Sequence, residues 1–434
     1  MAAKTKEITN VQLSDFFSAV RSGNCSKVKS LLKKKEVKIN ATDPTDPSCP
    51  TALIIASQLE LIEMVKVLMR AKPTSADVNA ETKSGRRAIW WPAKNGNVEL
   101  AKVILGDKKC EINYIDKETG CSPLYRAITS NSVEVATELV HAGADVNIRR
   151  LGYDVGAETP LIKSVQMNNI DISRLLINSL CNIQAKTDDG LNALHFAVAY
   201  RRYEITELLL ESKVKVNAKS KHGVTAMTVA IEQHSPYMVR LLIQFGYNLD
   251  RPYSWGESPL EQAIKLHSNR ASLTLIHWGC KLIRKPRLPS YFYLAVNEKQ
   301  WDVAQLLINI NPKYLQEKWL RQSKWPVSVY YEQDMRHHLL EMSNKVWTLK
   351  ELCRSKVFMC VGKYAPIKIT QLPIPESVKE YVMFNEFIKE SFYEKKPLDF
   401  IACPYECPTF CSQWNCSPLD ITVSSDSDVC ETGL

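Results

Sequence analysis

A helix-start signal returns through most of this chain at a spacing near 33 residues. A chain built on such a period cannot bury its apolar side chains one unit at a time; it must stack its units side by side. The signal is a small or polar residue, then Pro or Ala, then a large apolar residue. It occurs at Thr51-Ala52-Leu53, Ser122-Pro123-Leu124, Thr159-Pro160-Leu161, Asn192-Ala193-Leu194, Thr225-Ala226-Met227 and Ser258-Pro259-Leu260, with a weaker copy at Arg87-Ala88-Ile89. Leu161, Leu194, Met227 and Leu260 are spaced 33 apart, and the earlier gaps run from 35 to 37. A second marker keeps step with the first, an apolar residue followed by a polar one: Ile39-Asn40, Val78-Asn79, Ile112-Asn113, Val146-Asn147, Ile183-Gln184, Val216-Asn217 and Leu249-Asp250. Between the two markers run apolar stripes at helical spacing, such as Ile205, Leu208 and Leu209.

Each part has a mechanical reason. Thr or Ser caps a helix by accepting from an orphan backbone N–H. Pro fits the first helical position, where its missing N–H costs nothing. The following Leu and Ala face a neighbouring helix. Gly143 and Gly246 supply the left-handed residue that ends a second helix, and segments such as Asp145-Val146-Asn147 turn to the next unit. This pattern resembles the ankyrin repeat. The clearest unit is Asp189 to Ala197 followed by Leu208-Leu209-Leu210, and His195 alone preserves the family's helix-start histidine. The resemblance implies an all-α ankyrin-repeat solenoid of about eight or nine units over residues 12–312, after an N-terminal tail of residues 1–11. The last unit, Tyr291 to Asn311, is expected to cap the stack.

The bulk numbers agree with a folded chain. Of 434 residues, 45% are apolar and 24% charged, and the net charge of +9 is a mild bias that does not point to nucleic acid. No stretch approaches the roughly 18 apolar residues of a membrane span, and the start of the chain lacks a secretory signal's apolar core. The 13 cysteines therefore read as reduced thiols of a cytoplasmic or nuclear protein. No phosphate loop, nucleophile elbow or metalloprotease helix is present, and no cofactor is expected. A solenoid offers a concave face of turns and first helices for binding. Candidates to project there and hold a protein target are Trp90, Trp91, Arg149, Arg150, Tyr153, Tyr200, Arg201 and Arg202, with Tyr253 and Trp255; the insert from Arg149 to Glu158 lengthens one turn.

After residue 312 the period is lost. Residues 313–345 carry no motif and read as a linker. Thr348 with Glu351 three positions on is a capping box that starts a helix, along which Leu349, Leu352, Cys353, Val357, Cys360 and Val361 share one face before Gly362 stops it. Pro366 lies in the following loop, Leu372-Pro373-Ile374-Pro375 comes next, and a second short helix carries Val378, Tyr381 and Val382. Two such helices make too small a core to stand alone, so the stripe must be buried against something else.

Residues 346–385 resemble a SOCS box, here a small helical module. The family's first-helix pattern falls on Thr348, Leu349, Cys353 and Val357, its Leu-Pro-x-Pro motif on Leu372, Pro373, Ile374 and Pro375, and its closing Lys-x-Tyr on Lys379-Glu380-Tyr381; Phe358 stands where the family usually carries Arg. The resemblance implies that Thr348, Leu349, Leu352, Cys353 and Val357 bind elongin C, and that the proline motif recruits cullin-5 with its RING subunit. An ankyrin stack before a SOCS box resembles the ankyrin repeat and SOCS box family. In that family the stack captures a protein substrate, and the box docks it to elongin B, elongin C and a cullin for ubiquitination. The alternative is an ankyrin scaffold or inhibitor without ligase partners, for which the proline motif has no purpose. Residues 386–434 form a cysteine-containing tail in which Cys403, Cys407, Cys411 and Cys416 are a weak zinc candidate, because no Cys-x-x-Cys knuckle is present. Asn147, after Leu139 and Asp145-Val146, resembles the ankyrin asparagines that an oxygenase hydroxylates; an unmodified turn asparagine is the plainer reading.

Overall fold

The computed structural model describes residues 10–34, 37–72, 75–150, 158–250, 252–253, 256–284, 288–322, 324–362 and 365–384. Among them every regular element is helical, and extended pairing is confined to three isolated bridges, Thr42 with Thr51, Glu81 with Arg87 and Lys186 with Asn192. The chain forms two compact units that divide between Lys163 and Ser164.

The first unit holds helix pairs α1 (Asn10–Arg21) and α2 (Cys25–Lys33), α3 (Ala52–Gln58) and α4 (Ile62–Met69), α5 (Trp90–Asn95) and α6 (Val98–Leu105), and α7 (Pro123–Thr129) and α8 (Val133–His141). First helices pack on first helices, α1 to α3 to α5 to α7, and second helices on second helices, α2 to α4 to α6 to α8. The dividing point falls inside α9 (Pro160–Gln166). The second unit continues with α10 (Ile170–Asn178), α11 (Ala193–Ala199) and α12 (Tyr203–Glu211), α13 (Ala226–Glu232) and α14 (Pro236–Gln244), α15 (Pro259–Lys265) and α16 (Asn269–His277), and α17 (Tyr291–Asn297) and α18 (Trp301–Ile310). The same two layers recur, α11 to α13 to α15 to α17 and α10 to α12 to α14 to α16 to α18.

The helix starts form for the reasons given by their residues. Ser122, Asn192, Thr225 and Ser258 each accept from the backbone N–H three positions on. The weak copy at Arg87 does not cap: α5 begins two residues late, at Trp90, with Ile89 in helical conformation before it. Gly143 and Gly246 have φ of 93° and 88°, as a left-handed helix end requires.

The second marker does more than turn the chain. Asn79 donates to the Lys109 carbonyl at 2.7 Å and accepts from Glu111 N–H at 2.8 Å; Asn113 accepts from Asp145 N–H at 2.8 Å and Asn217 from Asn248 N–H at 2.9 Å. Gln184, one methylene longer, spans the same gap to Lys213 and Lys215. These side chains fasten each unit to the backbone of the next, some thirty residues on.

Two expectations fail after Asn311. Residues 313–345 are helical rather than an open linker: a 3-10 helix (Pro312–Gln316) is followed by α19 (Lys318–Arg321), α20 (Val327–Tyr330) and α21 (Gln333–Asn344). The pair α17–α18 does not cap the stack, because α20 packs on α17 as each first helix packs on the one before, and α21 packs on α20. Lys299 pairs with Glu332 at 2.5 Å across 33 residues, the repeat spacing. Trp319 fills the remaining space, against Phe292, Tyr293 and Trp325.

Candidate functional site

The C-terminal module is built on α22 (Leu349–Val361), α23 (Ala365–Thr370) and α24 (Glu376–Val382). The capping box forms as its residues dictate: Thr348 Oγ1 accepts from Glu351 N–H at 3.2 Å, and Glu351 accepts from Thr348 N–H at 2.8 Å. That N–H, with Lys345 at 3.0 Å, holds the Glu351 carboxyl below its usual range. Gly362, with φ of 62°, closes the helix.

One side of α22 is buried in the second unit, where the helix packs on α18 and α24. Ser355 donates to the Ile310 carbonyl at the end of α18. Phe358 is 4% exposed and meets Phe384 edge-on at 5.2 Å. The Arg354 guanidinium lies 3.7 Å over the Phe384 ring and 4.2 Å over Tyr381, with Lys350 4.5 Å over Tyr381. Phe358, the departure from the family pattern, is thus part of the module's core. Pro366 belongs to the first turn of α23, not to a loop, so the module has three helices where two are expected from sequence. A third helix of six residues carries too little periodicity to be read.

The other side of α22 is open. Leu349 is 77% exposed, Leu352 45% and Val357 38%, with Cys353 and Cys360 also exposed. Met359, seven residues after Leu352, joins this surface and was missed from sequence; its period-seven spacing was the available signal. Following α23, Leu372 and Ile374 are half-buried while Pro373 and Pro375 are exposed, and Pro375 (φ −56°, ψ 147°) leads into α24. Lys379 Nζ donates to the Thr370 carbonyl at 2.8 Å and so ties α24 back to α23. The segment from Leu372 to Pro375, bent by the bond from Ile374 N–H to the Leu372 carbonyl at 2.9 Å, is therefore presented at little ordering cost.

The surface candidates do not form one set. In the first unit Trp90 is 2% exposed and belongs to the core, with Trp91 edge-on at 4.8 Å. Arg149 is exposed, and half-buried Arg150 donates Nε–H to the Thr119 carbonyl at 3.2 Å. In the second unit Tyr200 stacks on Phe196, and Arg202 leads into α12. Arg201 donates to the Gln233 carbonyl at 2.9 Å and to its side chain at 3.2 Å, so it braces the next repeat. Tyr253 is buried; Tyr153 and Trp255 lie outside the described residues, as do Cys403, Cys407, Cys411 and Cys416. Asn147 is exposed and holds the register of the fastening asparagines. Among the described residues no group of His, Cys, Asp and Glu is arranged to hold a metal, and no helix is long and apolar enough to cross a membrane.

Comparison with known proteins gives two family matches. The family described as "Ankyrin repeats (3 copies)" matches residues 16–116, 74–150 and 151–220, and the SOCS box matches residues 345–383. Curated relatives include the nuclear factor NF-kappa-B p105 subunit of Gallus gallus, 29% identical over 34% of this chain and 14% of that protein. The putative ankyrin repeat protein FPV031 of Fowlpox virus (strain NVSL) is 28% identical over 36% of this chain and 45% of that protein. The chain thus spans less than half the length of these relatives. Among solved structures it is similar to the ankyrin repeat domain of Bcl-3 (22% identity, TM-score 0.45, 50% of this chain and 93% of that one). It is also similar to that of human ASB11 (23%, TM-score 0.43, 52% and 97%).

Proposed function

The chain belongs to the ankyrin repeat and SOCS box proteins, and on that premise we propose that it is the substrate receptor of a cullin-type ubiquitin ligase. The repeats would hold a protein target, α22 would dock on elongin C within an elongin B–elongin C pair, and Leu372 to Pro375 would meet a cullin of the cullin-5 type with its RING subunit. The reading makes the chain a non-catalytic adaptor working in the cytoplasm or nucleus.

The observation that carries this reading is the partition of α22. Its Arg354, Ser355 and Phe358 side is buried on α18 and α24, while Leu349, Leu352, Cys353, Val357 and Met359 face outward. Burying a Leu is worth about 1.5–3 kcal/mol, so a helix that holds several apolar residues in water has a partner to gain from. Cys353 sits in the middle of the stripe as a small apolar residue.

The test is co-expression with elongin B and elongin C, wild type beside Leu349→Ala/Cys353→Arg. A stoichiometric ternary complex with wild type and none with the variant is the expected result. Wild type that purifies folded and free of elongins refutes the receptor reading and leaves a plain scaffold.

A further inference from the structure

The first unit gathers several cations around α5 and α7, and among the described residues only Arg86 of them has an ion-pair partner. Arg86 precedes α5; Trp90, Trp91 and Lys94 lie on α5, Arg126 on α7, and Arg150 follows α8. The guanidinium carbons of Arg86 and Arg126 stand 4.3 and 5.0 Å from the centre of one ring, that of Trp90, and Lys94 Nζ lies 5.7 Å from the same ring. Counted from Ile89, Leu124 and Leu161, the residues Trp91, Arg126 and Lys163 share one register position on three successive first helices.

The nearby carboxylates are already engaged, one of them with the cluster itself. Glu118 pairs with Arg86 at 3.0 Å and is itself 57% exposed. Asp116 accepts from Thr119 and from Glu118 N–H inside its own turn, and Glu158 accepts from Tyr125 at 2.8 Å. Among the described residues no carboxylate lies within ion-pair reach of Arg126 or Arg150, and Arg126 Nε is buried without a hydrogen-bond partner. Burial disfavours the charge on Arg126 and on Lys163; at Lys163 the Glu158 carboxylate partly offsets this, and at Arg126 the like charges of Arg86 and Arg150 oppose the charge further against a partial offset from Cys121 and Asp116. A half-buried cation beside two others weakens the fold unless an anion joins it. Guanidinium forks match the oxygens of phosphate and carboxylate two at a time.

We propose that Arg86 and Arg126, both over the Trp90 ring, form with neighbouring Arg150 a receptor for an oxyanion side chain on an extended segment of the target protein. The segment carries either a phosphorylated residue or paired carboxylates. This names the chemistry of the target and rests on the reading of the repeats as a substrate receptor. Cation–π contact with Trp90 holds the Arg86 and Arg126 guanidiniums, and the Thr119 carbonyl holds that of Arg150, so the ordering is done before the peptide arrives.

The test uses the full chain, alone and co-purified with elongins B and C, and pools of short peptides with randomised flanks. The centre of each pool is phosphoserine, Glu-Glu, Ser or Lys. Variants are Arg126→Gln, Arg126→Lys and Arg126→Gln/Arg150→Gln. The phosphoserine or Glu-Glu pool is expected to bind and the Ser and Lys pools not to. Arg126→Gln should weaken binding by about tenfold or more, and Arg126→Lys, which keeps the charge but not the fork, by less. The stronger anionic pool identifies the source of the charge. The proposal is overturned if neither anionic pool binds a folded chain, or if the double variant binds as wild type does. It is also overturned if single-stranded RNA binds with the same dependence on the double variant, which would make the cluster a nucleic-acid surface. Because Arg126→Lys retains the charge and most of the volume, a lower melting temperature of the Gln variants does not decide the matter. A chain that binds the anionic pool without assembling with elongins refutes the receptor reading alone; one that assembles without binding the pool refutes only the anion site.

Discussion

Leu349→Ala and Phe358→Ala lie nine residues apart on one helix and should fail in opposite ways. Leu349 is 77% exposed in the free chain, so about a quarter of its burial energy is realised there. A fully buried Leu is worth about 1.5–3 kcal/mol, which limits the loss of chain stability to roughly 0.5 kcal/mol. The remaining three-quarters is realised only against a partner. Adding the unfilled pocket that truncation leaves, the loss at elongin C should be about 2–3 kcal/mol, or roughly 30- to 150-fold in Kd. Phe358 is 4% exposed and stacked edge-on with Phe384, so its truncation should cost the chain about 3–5 kcal/mol. The assay is calorimetric titration with purified elongin B–elongin C, paired with thermal melting of each variant. If Leu349→Ala melts as early as Phe358→Ala, or if it binds elongins within about twofold of wild type, the outward face of α22 is not the docking face.

Three further outcomes follow from the repeats. His195 and His277 are each pushed by burial down to about 4, so both fold neutral; their stabilising effect is complete above the unfolded value near 6.5 and is lost as pH falls towards 4. At pH 5 each should destabilise the second unit by about 2 kcal/mol, seen as lost amide protection around α11 and α16, and protection that is flat between pH 7 and 5 refutes this. Gly190 (φ +80°) would bring an added Cβ to 2.9 Å from Lys221 N, whereas Gly143 (φ +93°) has open space, so Gly190→Ala should lower the melting temperature clearly more than Gly143→Ala, which costs about 1 kcal/mol. Asn217→Ala removes the fastening bond from Asn248 N–H, for about 1–2 kcal/mol in denaturant titration, and Asn217→Asp, which can still accept as Asp250 does from Lys281 N–H, should cost less.

The repeat was legible because its signals are local. Ser122, Asn192, Thr225 and Ser258 cap helices through bonds that span three residues, and a three-residue pattern can be read from a string. The fastening asparagines were visible as a marker, but their work was not, since Asn79 meets Glu111 32 residues away. Residues 313–345 escaped because α19 and α20 have four residues each, less than the two turns over which an apolar stripe shows itself, and α21, though twelve residues long, buries only Leu339. Trp90 is flanked in sequence by Arg86, Arg87 and Lys94, as a surface residue would be, yet Arg86 and Lys94 lie over the indole and cover it, while Arg87 lies over Tyr114. In the C-terminal module the capping box and the apolar face of α22 were read correctly as local features. Which side of α22 the rest of the chain would take was not written in the helix itself.

That last point bears on mechanism. A helix with residues to bury on two sides can be held rigidly and still offer a surface, provided the two sides differ in chemistry. On α22 the inner side combines a hydroxyl, a guanidinium and an aromatic ring, matched by the Ile310 carbonyl and the rings of Tyr381 and Phe384. The outer side is aliphatic and thiol, with no group that needs a specific partner in water. Swapping the sides would leave Arg354 without its rings and Ser355 without its carbonyl, a loss that aliphatic burial alone does not repay. The module is therefore fixed to α18 in one orientation. If the chain acts as the proposed receptor, holding a target near a ubiquitin-carrying enzyme depends on such a fixed joint, since placement governs how often the reacting groups meet.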